Sequence, residues 1–157
     1  EVFTVANAKL CESNEAGMFV TAWMGMLDIT TGRVEFANAG HNPPLVRHAD
    51  GSFEFLKSKP GFILAGMEGM KYRKNELVLS AGDEIYLYTD GVTEATNAKN
   101  ELYGEKRLVK LLDSLHGLTS EGICRAVKAD IDAFVGDAPQ FDDITMLYLK
   151  YNGGSEK

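Results

Sequence analysis

The sequence predicts an α+β fold in which antiparallel strands are preceded by one helix and followed by two more. Three observations lead to this prediction. Strand-like segments follow one another through hairpin signals between residues 19 and 88, with no helical pattern among them. A helical pattern covers the first residues, and two amphipathic patterns come late in the chain. A doubly wound parallel fold is disfavoured, because parallel strands need crossover connections that are usually helical.

The strands are predicted from runs of branched and aromatic residues that are bounded by turn chemistry. They cover residues 19–29, 33–38, 45–48, 52–56, 72–80, 85–88 and 144–151. The first of them is expected to be long and buried. Paired prolines at Pro43 and Pro44 make the connection before the third strand rigid. Residues 57–70 are expected to form an irregular loop whose Phe62, Ile63 and Leu64 enter the core.

The helices are predicted from apolar residues at three- and four-residue spacing. They cover residues 1–12, residues 104–116 and a segment that begins at the N-cap Thr119 and ends before Gly136. Residues 93–102 are polar and are expected to form a loop or a short helix. Residues 152–157 are expected to form a disordered tail after a domain that covers residues 1–151.

Composition excludes several functional classes. The 157 residues carry a net charge of −7 and have no Lys/Arg run, which disfavours nucleic acid and anionic membranes as partners. Cys11 and Cys124 lie far apart at helical positions, which indicates reduced, packed thiols in a cytoplasmic domain. No apolar run approaches the length of a membrane span, so we expect no membrane contact by this segment. The parent protein can still carry a membrane anchor.

A strand that ends on an acidic residue is the main candidate for chemistry. The apolar run of residues 85–88 is followed by Asp90 and Gly91, so one carboxylate is expected at the rim of a sheet. Glycine allows the backbone to turn sharply or to approach a ligand closely. An Asp-Gly pair is also among the commonest turn dipeptides, and the turn is the more frequent use of this pair.

A second acidic feature, Asp142 and Asp143, precedes the last strand. One strand ends just before Asp90, and another begins just after Asp142 and Asp143. If these two strands are antiparallel neighbours, the carboxylates of the aspartates meet at one rim of the sheet. Close carboxylates repel, and a divalent cation removes this repulsion. An all-oxygen donor set suits Mg or Mn better than Zn. The alternative is a pair of solvated turn acids at Asp142 and Asp143.

Three motifs in this order resemble one known family. They are Leu-Tyr-Thr-Asp-Gly-Val-Thr-Glu at residues 87–94, Asp-Asp-Ile-Thr at residues 142–145 and Asn-Ala-Gly-His-Asn-Pro-Pro at residues 38–44. Together they resemble the SpoIIE-like, RsbU-type branch of the metal-dependent serine/threonine protein phosphatases, the bacterial relatives of the type 2C phosphatases. The resemblance covers residues 1–151.

The resemblance implies a four-layer αββα fold, an antiparallel β-sandwich flanked by helices. It implies a site for two Mn or Mg ions that activate a water for in-line attack on phosphoserine or phosphothreonine, with no catalytic side chain beyond that water. By position, Asp90 and Asp142 match the family's metal ligands, and Asp143 is the weaker match. Gly91 would support the turn after Asp90.

Two further side chains are weighed beside these ligands. Glu94 is a candidate to hold water near the metal site, although a solvated loop acid is the commoner role. His41 is a candidate acid in its Gly-His-Asn-Pro-Pro loop, although a histidine that hydrogen-bonds a rigid loop is commoner.

One motif of the family is missing from this sequence. The family's first metal-binding strands, with an Asp-x-x-Gly-x-Gly motif, would precede Glu1, and no such motif occurs here. We therefore expect the C-terminal portion of a phosphatase domain that lacks its first strands. On its own it is expected to bind metal weakly and to hydrolyse little or nothing. Sheet edges exposed by the missing strands would favour a homodimer.

The expected partner is a phosphorylated regulatory protein, and the resemblance implies an anti-sigma-factor antagonist in a partner-switching pathway. The alternative is a non-catalytic regulatory or protein-binding module with an incomplete metal site. A carboxylate-rich metal nuclease is a weaker alternative, because basic residues are lacking around the acidic motifs.

Overall fold

A computed structural model describes residues 1–12, 14–49, 51–140 and 142–154. It confirms an α+β fold with antiparallel sheets and helices. The helices of the described chain are α1 (Val2–Cys11), α2 (Asp90–Thr93), α3 (Glu105–Ser114) and α4 (Ser120–Val135). The strands are β1 (Ala22–Leu27), β2 (Arg33–Ala39), β3 (Leu45–Arg47), β4 (Glu54–Phe55), β5 (Asn75–Val78), β6 (Glu84–Tyr88) and β7 (Met146–Lys150).

The described residues divide into two compact units. The first unit comprises Glu1–Pro43, Lys57–Ala81 and the end of the chain from Gly153, and the second comprises Pro44–Leu56 and Gly82–Asn152. The first unit holds a three-stranded antiparallel sheet in the order β1-β2-β5. Its small core contains Phe3 and Leu64, and the Phe3 ring meets the Tyr72 ring edge-on at 5.6 Å.

The prediction of a long buried strand over residues 19–29 was wrong in length and in burial. Strand β1 covers only Ala22–Leu27, and its middle residues are exposed. Phe19 and Met26 are 60% and 67% exposed. Within the described chain β1 is an edge strand that forms a ladder only with β2. Its side chains point to the faces of the sheet, so their burial depends on a layer that covers the face. An apolar, branched sequence indicates that a strand forms but not whether anything covers it.

The loop before β5 was predicted only in part. Leu64 is buried as expected, but Ile63 is half-buried and Phe62 is 43% exposed. The backbone turns here, and Ala65 adopts a positive φ of 64°. A tight turn cannot point three consecutive side chains into one core, so only one of the three enters it. Strand β5 is also shorter than the predicted segment of residues 72–80.

The second unit holds a four-stranded antiparallel sheet in the order β4-β3-β6-β7. The predicted hairpin between β3 and β4 is confirmed, with Leu45 opposite Phe55. Strand β6 is central, and Ile85, Tyr86 and Tyr88 are buried within it. A central strand that is covered on both faces has apolar residues at consecutive positions, and this explains the continuous apolar run in the sequence of β6.

The two late helices cover this sheet through the predicted apolar stripes. Leu108 and Leu112 of α3 are fully buried. Helix α4 buries Ile123, Val127 and Ile131 at four-residue spacing, which places them on one face. The predicted N-cap is confirmed, because the Thr119 hydroxyl accepts a hydrogen bond from the Gly122 N–H at 3.1 Å.

Both cysteines are free in the described chain, Cys11 in α1 and Cys124 in α4. None of the described helices is both long enough and apolar enough to cross a membrane. The disordered tail remains a prediction, and its last three residues, 155–157, lie outside the described residues.

Candidate metal centre

Strands β6 and β7 are antiparallel neighbours, which is the arrangement that would bring Asp90 and Asp142 to one rim. Tyr88, at the end of β6, lies opposite Met146, at the start of β7. The ladder continues by one bond, because the Thr89 N–H donates to the Thr145 carbonyl at 3.0 Å. The residues that follow β6 and those that precede β7 therefore lie at the same rim of the sheet.

The Thr89 side chain ties these two segments together. Its hydroxyl donates to the Asp143 carbonyl at 3.0 Å and accepts from the Thr145 N–H, also at 3.0 Å. One side chain thus fixes the segment before β7 from two sides. Sequence reasoning missed this role, although Thr89 stands inside the Thr-Asp-Gly motif and Thr145 inside Asp-Asp-Ile-Thr.

Gly91 allows the two segments to approach at main-chain contact. A β-carbon on Gly91 would overlap the carbonyl oxygen of Asp143 and would lie 3.3 Å from that of Asp142. Gly91 is not among the glycines with positive φ, so the need for glycine here is steric. The structure thus shows a close approach of Gly91 to the segment that carries the other two aspartates. Its predicted support of a turn stays a prediction.

Asp90 begins α2, a single helical turn. Its Oδ1 accepts from the Gly91 N–H at 3.0 Å, and its carbonyl accepts from the Glu94 N–H at 2.8 Å. The residue itself is exposed. The backbone of Asp90 is therefore fixed, while its carboxylate stands at the surface of the rim.

Asp142 and Asp143 are also exposed. The Oδ1 of Asp142 accepts from the Asp143 N–H at 2.6 Å, and the Asp142 carbonyl accepts from Gln140 Nε2 at 2.8 Å. Both residues are thus held in a defined loop immediately before β7.

The chemistry of the donors at this rim fits a hard divalent cation, since carboxylate and carbonyl oxygens are the ligands that Mg and Mn prefer. The number of donors is small. No group of three or more His, Cys, Asp or Glu residues is close enough to hold a metal ion within the described ranges. The assignment of Asp90, Asp142 and Asp143 as metal ligands stays a prediction.

Comparison with known proteins identifies the family. Residues 1–152 match the family described as Stage II sporulation protein E (SpoIIE). The chain belongs to the SpoIIE family. Two of the three motifs that carry the resemblance, residues 87–94 and 142–145, lie within the matched range and meet at one rim of the sheet.

Two relatives of this SpoIIE family member are distant in sequence and longer than the chain. The chain is 31% identical over 141 residues to protein IcfG of Synechocystis, covering 90% of the chain and 22% of IcfG. It is 28% identical over 150 residues to the phosphoserine phosphatase RsbU of Bacillus subtilis, covering 90% of the chain and 42% of RsbU. The chain thus spans less than half the length of either relative.

A solved structure supports the fold. The SiaA-PP2C domain of Pseudomonas aeruginosa superposes with a TM-score of 0.77 at 20% sequence identity. This match covers 96% of the chain and 59% of the SiaA chain. The α+β arrangement with antiparallel sheets is therefore that of a PP2C-type domain.

The two lower-ranked candidate residues differ in their surroundings. Glu94 is exposed and caps α2 through its backbone. His41 belongs to the first unit. The Asn38 side chain fixes the loop that carries His41. It accepts a hydrogen bond from the His41 N–H at 2.8 Å and donates one to the His41 carbonyl at 2.8 Å. The His41 ring lies 3.3 Å from the Thr21 hydroxyl. A role for either residue at a metal stays a prediction.

The residues behind the rim are deeply buried. Tyr88 and Val92 are 3% and 0% exposed and join the core of the second unit. Burial, together with the negative charge of Glu105, raises the pKa of Tyr88 to about 12. A cavity of about 270 Å³ opens beside Gly91 and is lined in part by Ile131 and Gln140. The rim thus combines a rigid base with an accessible surface.

Proposed function

We propose that this chain forms part of a metal-dependent protein serine/threonine phosphatase that hydrolyses phosphoserine or phosphothreonine on a regulatory protein. The observation that carries the proposal is the contact between Gly91 and Asp143 in a member of the SpoIIE family. This contact brings two aspartate-bearing segments to one sheet rim, and both segments belong to the motifs of that family.

The residues of this chain have distinct tasks in the proposed reaction. Asp90 and Asp142 would hold divalent ions, with Asp143 as a weaker candidate. Bound Mn or Mg supplies charge neutralisation at the phosphate and lowers the pKa of water. Thr89 and Gly91 would position the aspartates, since they hold the two segments together. The contribution of this chain is therefore to fix carboxylates before any metal arrives.

The proposed substrate is a phosphorylated regulatory protein. The relative RsbU is named a phosphoserine phosphatase, and this supports a phosphoserine substrate for the present chain as well. We extend the proposal to an anti-sigma-factor antagonist as the dephosphorylated partner and to a cytoplasmic reaction. The acidic charge of −7 favours a protein partner over nucleic acid.

The proposal is tested by a Mn-dependent phosphatase assay of the natural full-length domain with and without Asp90→Asn. Activity is expected to fall by more than about 100-fold, because groups that merely orient metal ligands already affect activity by 10–100-fold. Asp137→Asn is the matched control, since Asp137 is an exposed aspartate of the loop after α4. It is expected to leave activity unchanged.

The possible results separate the two functions. Unchanged activity in Asp90→Asn would reject Asp90 as a metal ligand. No Mn-dependent turnover by the intact domain would favour a non-catalytic protein-binding module instead. The 157-residue chain assayed alone is expected to show little turnover of para-nitrophenyl phosphate.

The proposed partners include a second copy of this chain, paired through the edge of β1. Met26 of this edge strand is 67% exposed, and an uncovered apolar edge favours strand pairing. Light scattering of the chain is expected to show a dimer that Met26→Lys dissociates. Met67→Lys, at an exposed methionine outside the strands, is expected to keep the dimer. A monomer in the unsubstituted chain would reject this pairing.

A further inference from the structure

A basic pocket lies in the first unit, on residues that the proposed reaction does not use. It has a volume of about 320 Å³, and its lining includes Lys59, Lys71 and Arg73. Phe62 and Met70 add apolar surface to the lining, and the end of β2 contributes Asn38. We call this feature the basic pocket.

The charge of this region opposes that of the chain as a whole. Residues 57–73 carry four basic residues and one acidic residue, Glu68, which gives a net charge of +3, whereas the whole chain carries −7. Positive charge is therefore concentrated on one short segment. Concentrated charge of one sign attracts partners of the opposite sign.

The cations of the pocket are available for a partner. Lys59, Lys71 and Arg73 are exposed, and their side chains form no ion pair or hydrogen bond with any described residue. The neighbouring Lys74 is different, because its Nζ lies 2.9 Å from Glu35 Oε1. The three lining cations can therefore pair with a partner, whereas Lys74 is already paired within the fold.

The backbone beneath the pocket is fixed. The Gly61 N–H donates to the Asn38 carbonyl at 2.8 Å. A β-carbon on Gly61 would lie 2.9 Å from the Tyr72 ring, so loop and ring are in close contact. The Tyr72 hydroxyl in turn donates to Asn7 Oδ1 at 3.1 Å. The backbone of the pocket is therefore preformed, and only the side chains of its cations need to be ordered when a partner binds.

We propose that the basic pocket docks an acidic segment of the protein substrate, one with an apolar side chain beside its carboxylates. This inference rests on the proposed function, since it assumes a protein substrate. The three cations would meet the carboxylates, and Phe62, which is 43% exposed, would be covered by the apolar side chain. Exposed charges around an aromatic contact favour partner choice and fast association.

A protein segment suits this lining better than a small phosphate ion. Compact phosphate sites usually use a helix N-terminus or converging backbone N–H groups. The described lining comes from a loop and a strand end, and its cations stand on flexible side chains at the surface. Such an open arrangement can follow an extended anionic chain.

The test measures binding of a fluorescein-labelled peptide of glutamates interrupted by leucines, using fluorescence anisotropy of the full chain. The triple variant Lys59→Gln, Lys71→Gln, Arg73→Gln is expected to weaken binding by about tenfold, because each exposed ion pair contributes a factor of up to about five. Added salt is expected to weaken binding to the unsubstituted chain and to have less effect on the variant.

The matched control neutralises Lys99, Lys106 and Lys110, which are exposed and unpaired among the described residues of the second unit. This control variant changes the net charge by the same amount as the first triple variant. It therefore separates binding at the basic pocket from the effect of the net charge of the chain. Equal weakening in both triple variants would overturn the proposal. Binding of inorganic pyrophosphate, measured by calorimetry, with no binding of the peptide would also overturn the proposal in favour of a small-anion site.

A second measurement needs no variant. Titration of the peptide into the ¹⁵N-labelled chain is expected to shift amide resonances at residues 59–62 and 70–73. Shifts confined to other residues would overturn the proposal even if the triple variant failed to fold. Both measurements proceed without metal or turnover, so a failure of the proposed phosphatase activity would show in the Mn-dependent assay and not here.

Discussion

The main chain of Gly91 lies so close to the carbonyl of Asp143 that a β-carbon on Gly91 would overlap it. The Asp143 carbonyl carbon would lie 3.0 Å from such an atom, and the Asp142 oxygen 3.3 Å. Residues that are 52 positions apart in the sequence thus meet at the rim where β6 ends and β7 begins. This contact holds together the two segments that carry the candidate ligands.

Gly91→Ala is expected to force the two segments apart. We expect a loss of about 1–3 kcal/mol in the free energy of unfolding, because the contact involves two backbones that cannot both relax. Mn affinity, measured by calorimetry on the intact domain, is expected to fall as well. Gly51→Ala is the control, since its β-carbon would meet nothing closer than 3.8 Å. Equal stability of the two variants would show that the contact can be relieved locally.

Thr89→Val is expected to cost about 1–3 kcal/mol in urea unfolding, because it leaves the Thr145 N–H and the Asp143 carbonyl without the hydroxyl that pairs with both. Thr89→Ser keeps a hydroxyl in nearly the same place. It is expected to recover most of that stability. A Thr89→Val variant as stable as the unsubstituted chain would contradict the bridging role, because Val keeps the shape and the methyl of Thr and lacks only the hydroxyl.

Stability is expected to depend on acidic pH through Asp130 of α4. Arg107 donates to its carboxylate at 2.8 and 3.0 Å, and this pairing, helped by the Tyr103 hydroxyl, lowers the pKa of Asp130. A lowered pKa contributes stability that is present above the unfolded value of about 3.9 and is lost as pH falls through the folded value. Asp130→Asn is therefore expected to cost about 1 kcal/mol at pH 7 and nothing at the lowest pH at which both proteins fold.

The control for this pH dependence is Asp132→Asn on the same helix. Among the described residues the Asp132 side chain pairs only with Lys128, and it is 60% exposed. The expected cost in urea unfolding is about 0.3 kcal/mol. A cost for Asp130→Asn that stayed constant between pH 7 and acid would contradict an electrostatic origin.

Stability is expected to fall at alkaline pH through Tyr88, whose pKa is raised to about 12 by burial and by Glu105. A raised pKa gives stability that is fully present below the unfolded value of about 10 and is lost as pH rises through 12. Tyr88→Phe removes this group. It is expected to be about 1 kcal/mol more stable than the unsubstituted chain at pH 11 and similar to it at pH 8, as measured by urea unfolding. An unchanged difference between the two pH values would show that Tyr88 ionises freely in the fold.

Local patterns predicted the helices and most strands because those signals depend on near neighbours. The spacing of Ile123, Val127 and Ile131 defines one helix face whatever lies opposite it. Thr119 caps the helix through a contact three residues away. Burial could not be predicted in the same way, as β1 shows. Its apolar residues indicate a strand, but Met26 is exposed because burial requires a partner from elsewhere in the chain.

The features of the candidate site also fall into those that depend on local sequence and those that depend on distant contacts. The sequence by itself determined the family motifs, the acidic residues Asp90, Asp142 and Asp143, and the preference for a hard divalent cation, because residue chemistry and order are local properties. Only the tertiary structure decided that the β6 and β7 ends meet, that Thr89 bridges them and that Gly91 must lack a side chain. Those features depend on strand register, and register is set by contacts between residues that are distant in the sequence.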